Sequence, residues 1–173
     1  NGTLALHLAC AALDLPPGYL GLTSPLTFAA SANAILYTSG RVGFVDIGIE
    51  DPCMDPSLLE DYCKNNRGPD LVIPVSFSGI PADLPAIHRL AKQYGFKVIE
   101  DAAHSLGSDF RAAGQAHHSA GCTFSDLSIL SFHPVKNITS AEGGMILTNS
   151  DHLNARLREL RNHGMSKDPQ RWK

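Results

Sequence analysis

The chain has 173 residues, a net charge of −3, and 43% hydrophobic against 18% charged residues. That balance excludes an unfolded polar polymer, gives room for one domain with its own core, and lacks the basic excess of a nucleic-acid binder. No apolar run nears the roughly 20 residues that span a bilayer, and no cationic segment with an apolar core opens the chain, so neither a membrane span nor a secretory signal is expected.

In chain order, residues 3–13 (TLALHLACAAL) read as a helix that Thr3 is suited to begin. Pro16-Pro17-Gly18 breaks it, and Tyr19–Thr23 follows as a short strand. Ser24-Pro25 leads to a helix over Phe28–Tyr37, then to a buried strand over Val42–Asp46. Pro56–Lys64 is helical with Asp55 as its N-cap. Asp70–Phe77 is a third strand, whose Pro74 predicts an edge or irregular position. Ala82–Tyr94 is a helix stopped by Gly95, and Lys97–Asp101 a fourth strand. Leu127–Ser131 and Met145–Thr148 are two more strands, and Asp151–His163 is a charged helix ended by Gly164. The chain opens without Met at Asn1-Gly2-Thr3, inside what reads as a helix start. It stops at Arg171-Trp172-Lys173 in what reads as a loop, so it is expected to be an excerpt of a longer polypeptide.

Strands alternating with helices imply βαβ units, a mostly parallel sheet and helices on both faces. The last strand follows its predecessor without a clear helix between them and is a candidate antiparallel strand. Cys10, Cys53, Cys63 and Cys122 form no C-x-x-C pair, which points to reduced, buried thiols in a cytosolic protein rather than to a zinc site.

In open α/β sheets ligands collect beyond the carboxyl ends of strands. Asp101 ends the fourth strand in E-D-A-A-H-S; such a carboxylate can pair with a buried cation, or simply cap its own turn. Ser131 and His133 are polar residues at the end of the fifth strand, and Lys136 stands among Phe132, Val135 and Ile138 in S-F-H-P-V-K-N. A lysine in apolar surroundings has a lowered pKa and a free amine for Schiff-base chemistry, whereas a lone loop lysine is ordinarily a solvated charge. Gly2-Thr3 at a helix start offers free N–H groups to a phosphate, although most helix starts hold no ligand.

Taken together, GT at a helix start, PLTF, VIEDAAHSLG, SFHPVKNITSAEGG and RNHG run collinearly over nearly the whole chain. In that order they resemble the DegT/DnrJ/EryC1/StrS sugar aminotransferases, which are fold type I pyridoxal-phosphate enzymes. SPLTFAASANAILY, SFSGIPADL and SFHPVKNITSAEGGMILTN look most like the UDP-4-amino-4,6-dideoxy-N-acetyl-altrosamine transaminases of pseudaminic acid synthesis.

The resemblance implies a three-layer αβα large domain over 1–173, with an N-terminal segment and a small C-terminal domain outside it. It makes Lys136 the Schiff-base lysine, Asp101 the partner of the pyridine nitrogen, Phe28 the ring-stacking aromatic and His104 a neighbour of the ring 3-hydroxyl. Ser131 and the backbone of Gly2, Thr3 and Leu4 become the phosphate cradle, with His133 adjacent and no metal required. It further implies a cytoplasmic homodimer that uses pyridoxal 5′-phosphate, with pyridoxamine phosphate as its intermediate. L-Glutamate, leaving as 2-oxoglutarate, would supply the amine for the C4 ketone of a nucleotide-linked deoxysugar. Two alternatives stand beside this: a pyridoxamine-phosphate-dependent sugar dehydratase of the same family, disfavoured because that group has His in place of Lys136, and an inactive large-domain piece that only binds cofactor. A plain dinucleotide-binding domain would want G-x-G-x-x-G after the first strand, and the sequence has none.

Overall fold

A computed structural model of the chain describes residues 1–165; the loop expected at Arg171–Lys173 lies outside the described residues. Helix α1 spans Gly2–Ala12 and is followed by β1 (Leu20–Thr23), α2 (Ala30–Tyr37), β2 (Arg41–Phe44), α3 (Pro56–Asn65) and β3 (Leu71–Ile73). Then come α4 (Leu84–Tyr94), β4 (Lys97–Asp101), a hairpin of β5 (Asp109–Ala112) and β6 (Gln115–His118), β7 (Leu127–Ser131), β8 (Gly144–Leu147) and α5 (Asp151–Arg161). The main sheet has six strands in the order β2-β1-β3-β4-β7-β8. All neighbours are parallel except β8, which runs antiparallel to β7. The mostly parallel α/β sheet with one antiparallel strand, expected from the sequence, is therefore what the chain forms.

Two cores sandwich this sheet, as the period-2 alternation of strand side chains dictates. Leu71, Ile73, Ile99, Leu127 and Ile129 pack with α1, α2 and α5 on one face. Val72 and Val98 face the other way, against Leu59 of α3 and Ile87 and Leu90 of α4. Small residues let α1 and α2 approach closely: Ala5, Ala9 and Ala12 of one are buried with Ala30 and Ala34 of the other.

Capping chemistry sets the helix boundaries. Asn1, not Thr3, caps α1 by accepting the Leu4 N–H at 3.0 Å, so that helix starts one residue early. Asp55 caps α3 as expected, accepting the Ser57 N–H at 2.7 Å. Gly95 ends α4 in the left-handed region at φ 81°.

The third strand corrects the sequence reading. Pro74 does not send it to an edge: β3 lies between β1 and β4 in the interior of the sheet. The strand stops at Ile73, so the missing proline N–H falls just past the β3 ladder, while the Pro74 carbonyl still accepts the Asp101 N–H at 2.9 Å. Phe77, expected to be the strand's last residue, instead opens a 3-10 turn over Phe77–Gly79. All four cysteines are free and buried, and burial pushes the Cys10 and Cys53 thiols up to about 12. Among the described residues no helix is long and apolar enough to cross a membrane.

Candidate active site

At the carboxyl ends of β4 and β7 and the N-terminus of α1 lies a cavity of about 300 Å³. Gly2, Thr3, Phe28, Asp101, His104, Ser131, His133 and Lys136 all line it, so eight of the nine positions singled out in the sequence meet in one place. Leu4 does not: its N–H is taken by Asn1 and its side chain is 62% exposed elsewhere.

Asp101 is the most constrained of these groups. It is 5% exposed at the end of β4 and receives the Ser31 hydroxyl at 2.8 Å and the Ala103 N–H at 3.2 Å. Burial lifts its carboxyl above the ordinary range, while Ser31, Ala103, His104 and Lys136 oppose that lift. Ser31 also shares a 2.7 Å hydrogen bond with Thr27. Helix α2 thus sends a hydroxyl to the base of the cavity, a contribution that sequence reading missed because Ser31 looks like one more small helix residue.

Lys136 belongs to the connection between β7 and β8, whose ends are pinned by Phe132 N–H to Gly143 O at 2.9 Å and Ser140 N–H to Phe132 O at 3.1 Å. Its neighbour Asn137 donates to Leu106 O at 3.0 Å, tying this loop to the turn after β4. Partial burial pulls the Lys136 ammonium down, against the pull of Asp101 upward. That combination leaves a primary amine less protonated than a surface lysine, beside a buried carboxylate.

His104 packs edge-on against Phe77, ring centroids 5.4 Å apart, and its Nδ1 accepts the Ser78 N–H at 3.3 Å. The accepted bond requires the neutral ring to carry its proton on Nε2. Burial and then Lys136 lower its pKa, and Asp101 opposes them. Ser78, which supplies that N–H, is itself held at φ 55°, a left-handed conformation uncommon for serine.

The remaining wall is formed by a helix start, whose N–H groups can take an anion. The first turn of α1 presents Gly2 and Thr3 to the cavity opposite Ser131. A Cβ on Gly2 would sit 2.9 Å from Ser131 Cβ and 3.1 Å from its Oγ, so only glycine lets the helix start approach the hydroxyl this closely. His133 stands beside this wall, its Nδ1 accepting the Val135 N–H at 3.4 Å. Phe28, 72% exposed, flanks the opening. Beyond the positions predicted from sequence, Thr27, Val75, Ala103, Ile129 and Glu142 are among the residues that also line it.

Known proteins resemble this chain in sequence and in fold. A UDP-4-amino-4,6-dideoxy-N-acetyl-beta-L-altrosamine transaminase from Campylobacter jejuni is 38% identical over 167 residues, covering 96% of this chain and 43% of that protein. A UDP-N-acetyl-3-dehydro-alpha-D-glucosamine 3-aminotransferase from Acidithiobacillus ferrooxidans is 37% identical over 165 residues, 95% of this chain and 42% of its own. The chain therefore spans less than half the length of the curated relatives it matches. Among solved structures, DesV of S. venezuelae in complex with a ketimine intermediate superposes with a TM-score of 0.84 at 32% identity, over 99% of this chain and 44% of that one. NtdA from Bacillus subtilis with bound cofactor PMP gives 0.84 at 29%, over 99% and 37%. The profile of one family matches residues 1–173 throughout, and the chain belongs to that family, the DegT/DnrJ/EryC1/StrS aminotransferases.

Proposed function

We propose that residues 1–173 form the large, cofactor-holding domain of a pyridoxal-phosphate-dependent nucleotide-sugar aminotransferase. The observation that carries the reading is the meeting of Lys136, Asp101, His104, Ser131 and the α1 N-terminus around one cavity. The residues fit the cofactor: a buried carboxylate for a ring nitrogen, an amine for an aldehyde, and a glycine-permitted anion cradle for a phosphate. When bound, the cofactor supplies an electron sink that makes the substrate C–H next to the amine acidic.

The chain's own residues do the rest. Asp101, as an anion with Ser31 and Ala103 donating to it, favours the protonated form of the ring nitrogen. Lys136 is the amine that would hold the cofactor's aldehyde carbon, and from the same position it would serve as the base that carries the proton. His104 offers an Nε2–H to an oxygen substituent on the ring. Gly2, Thr3 and Ser131 fix the phosphate, and such anchoring is worth several kcal/mol of barrier through orientation alone. Phe28 offers a ring face for stacking.

The amino donor in this reading is L-glutamate and the acceptor is a keto group, C4 first, of a nucleotide-linked deoxysugar. The 4-amino products named for the Campylobacter relative and for a 34% identical UDP-4-amino-4-deoxy-L-arabinose aminotransferase of Shewanella sediminis support C4. The exposed apolar groups at the cavity, Phe28 and Val135, support a covering second copy in a cytoplasmic homodimer. The test is the visible absorbance of the protein with added pyridoxal phosphate, followed by borohydride fixation and peptide mass mapping. Wild type is expected to carry the fixed cofactor on Lys136 and Lys136→Ala to carry none. An unchanged band in the variant sinks the assignment. Amine transfer from glutamate to a panel of 3-keto and 4-keto sugar nucleotides then decides the position.

A further inference from the structure

The most deeply buried carboxyl among the described residues is not in the cavity. Glu100 has no exposed surface and precedes Asp101 on β4, so its side chain points to the opposite face of the sheet. There its carboxylate accepts four hydrogen bonds. Oε1 takes the Ser119 hydroxyl at 2.6 Å and the Ser76 hydroxyl at 3.2 Å. Oε2 takes the Ser128 hydroxyl at 2.9 Å and the Ala120 N–H at 3.0 Å. The donors come from three separate stretches of chain: the exit of β3, the segment after β6, and β7.

Proton accounting gives these bonds a direction. Ser76 receives the Ala82 N–H at 3.2 Å, and Ser128 receives the Cys122 thiol at 3.3 Å, so each is free to spend its own proton on Glu100. Ser119 likewise spends its proton on Glu100, so Ser105 is the donor in their 2.6 Å contact, in preference to the Ala102 carbonyl oxygen 3.5 Å away. Ser105, fully buried, is the residue after His104. The turn around it is closed by Ser105 N–H to Ala102 O at 3.1 Å, Ser108 N–H to Ser105 O at 2.9 Å and Ser119 N–H to Ser108 O at 2.9 Å. The same turn presents Leu106 O to Asn137, next to Lys136.

We propose that Glu100 is a positioning residue of the active site, holding the 102–108 turn through Ser119 and Ser105 and so placing His104 and the Lys136 loop. It never touches a ligand; it acts from behind the sheet. This deepens the reading given above, but its first test does not depend on cofactor.

The experiment uses the full-length polypeptide without cofactor and compares Ser105→Ala, Glu100→Gln and Ser76→Ala. Ser105→Ala cuts the hydroxyl link from the cluster to the turn and leaves Glu100 its four donors. Ser76→Ala removes one donor at the far side and is the control for generic loss of stability. NMR titration of His104, which faces Lys136 and Asp101, and amide exchange of Ser105, Ser108 and Ser119 are the readouts. The expected result for Ser105→Ala is a His104 midpoint moved up toward an exposed imidazole and turn amides exchanging at least tenfold faster, with Ser76→Ala like wild type in both. Glu100→Gln, where it folds, behaves as Ser105→Ala. With pyridoxal phosphate added, Ser105→Ala is expected to retain it about tenfold more weakly. Identical His104 titration and turn exchange in Ser105→Ala and Ser76→Ala overturn the proposal. Loss of cofactor from wild type overturns the functional reading while leaving the His104 result to stand.

Discussion

Replacing Ser31 by Ala tests the electrostatics at the base of the cavity. The hydroxyl is one of two donors to the Asp101 carboxylate, which is otherwise buried, so the variant leaves that anion with the Ala103 N–H alone. A hydrogen bond to a charged group is worth about 1.5–3 kcal/mol and one to a neutral group about 0.5–1.5 kcal/mol. The loss should therefore be about 1–1.5 kcal/mol larger when Asp101 is ionised, which corresponds to a further rise of about one pH unit in its pKa. The sign follows from a carboxyl already lifted by burial. Such a group stabilises the fold below its unfolded pKa, and that contribution is lost as pH rises through the folded value. Lifting it further makes the variant's deficit largest at neutral pH and smaller in mild acid. Urea unfolding of wild type, Ser31→Ala and Ser31→Thr over a pH series measures this directly, since every other carboxylate cancels in the comparison. With a slope of about 1–3 kcal/mol per M, the midpoint shift at neutral pH is on the order of 1 M. A deficit independent of pH, or one that grows in acid, refutes the claim that Ser31 supports the anion.

Two further outcomes follow from the same geometry. Lys136, lowered by burial, should react with a small amine-directed acylating reagent at lower pH than Lys64, which its Glu60 partner raises; Asp101→Asn should move the Lys136 profile lower still, and coincident profiles by mass spectrometry contradict the placement. Gly144→Ala would drive a Cβ into the Asn1 carbonyl oxygen and to 3.0 Å from the Gly2 nitrogen, so the start of α1 must move. Thermal unfolding should show a cost of about 1–3 kcal/mol, and equilibrium dialysis at least tenfold weaker retention of pyridoxal phosphate.

What could be read from residues alone depended on how local the cause was. The α3 cap and the α4 stop were visible because Asp55 and Gly95 act on their own helix ends. The β5–β6 hairpin was not, because QAHH lacks apolar alternation and only the positive φ angles of Ala113 and Gly114 make its tight turn. Of the two positions Pro74 suggested, edge or irregular, the second is found: β3 is interior but ends at Ile73, and the proline falls just past its ladder. In the site, Asp101 and Ser131 were legible as polar groups at strand ends, whereas Lys136 by itself read as a solvated loop charge and took its role only from the resemblance of the motifs together. Ser31 and Glu100 were not legible: one is a small residue inside a helix, the other a charge whose partners lie far along the chain. Their roles exist only after the sheet has formed.

The connection that carries Lys136 joins two strands that are neighbours both in sequence and in the sheet. Closing it requires little chain entropy, since loop closure grows only slowly costly with length and this loop is short. Asp101, Ser31 and the α1 N-terminus reach the same cavity by long crossovers, which depend on contacts distant in sequence. The lysine's own loop can therefore assemble before there is any cavity for it to serve. Capacity to hold a ligand is acquired only when β4, α1 and α2 have docked around it. A ligand that binds the finished fold alone would draw the folding equilibrium toward that last step, making occupancy of the cavity a measure of completed folding.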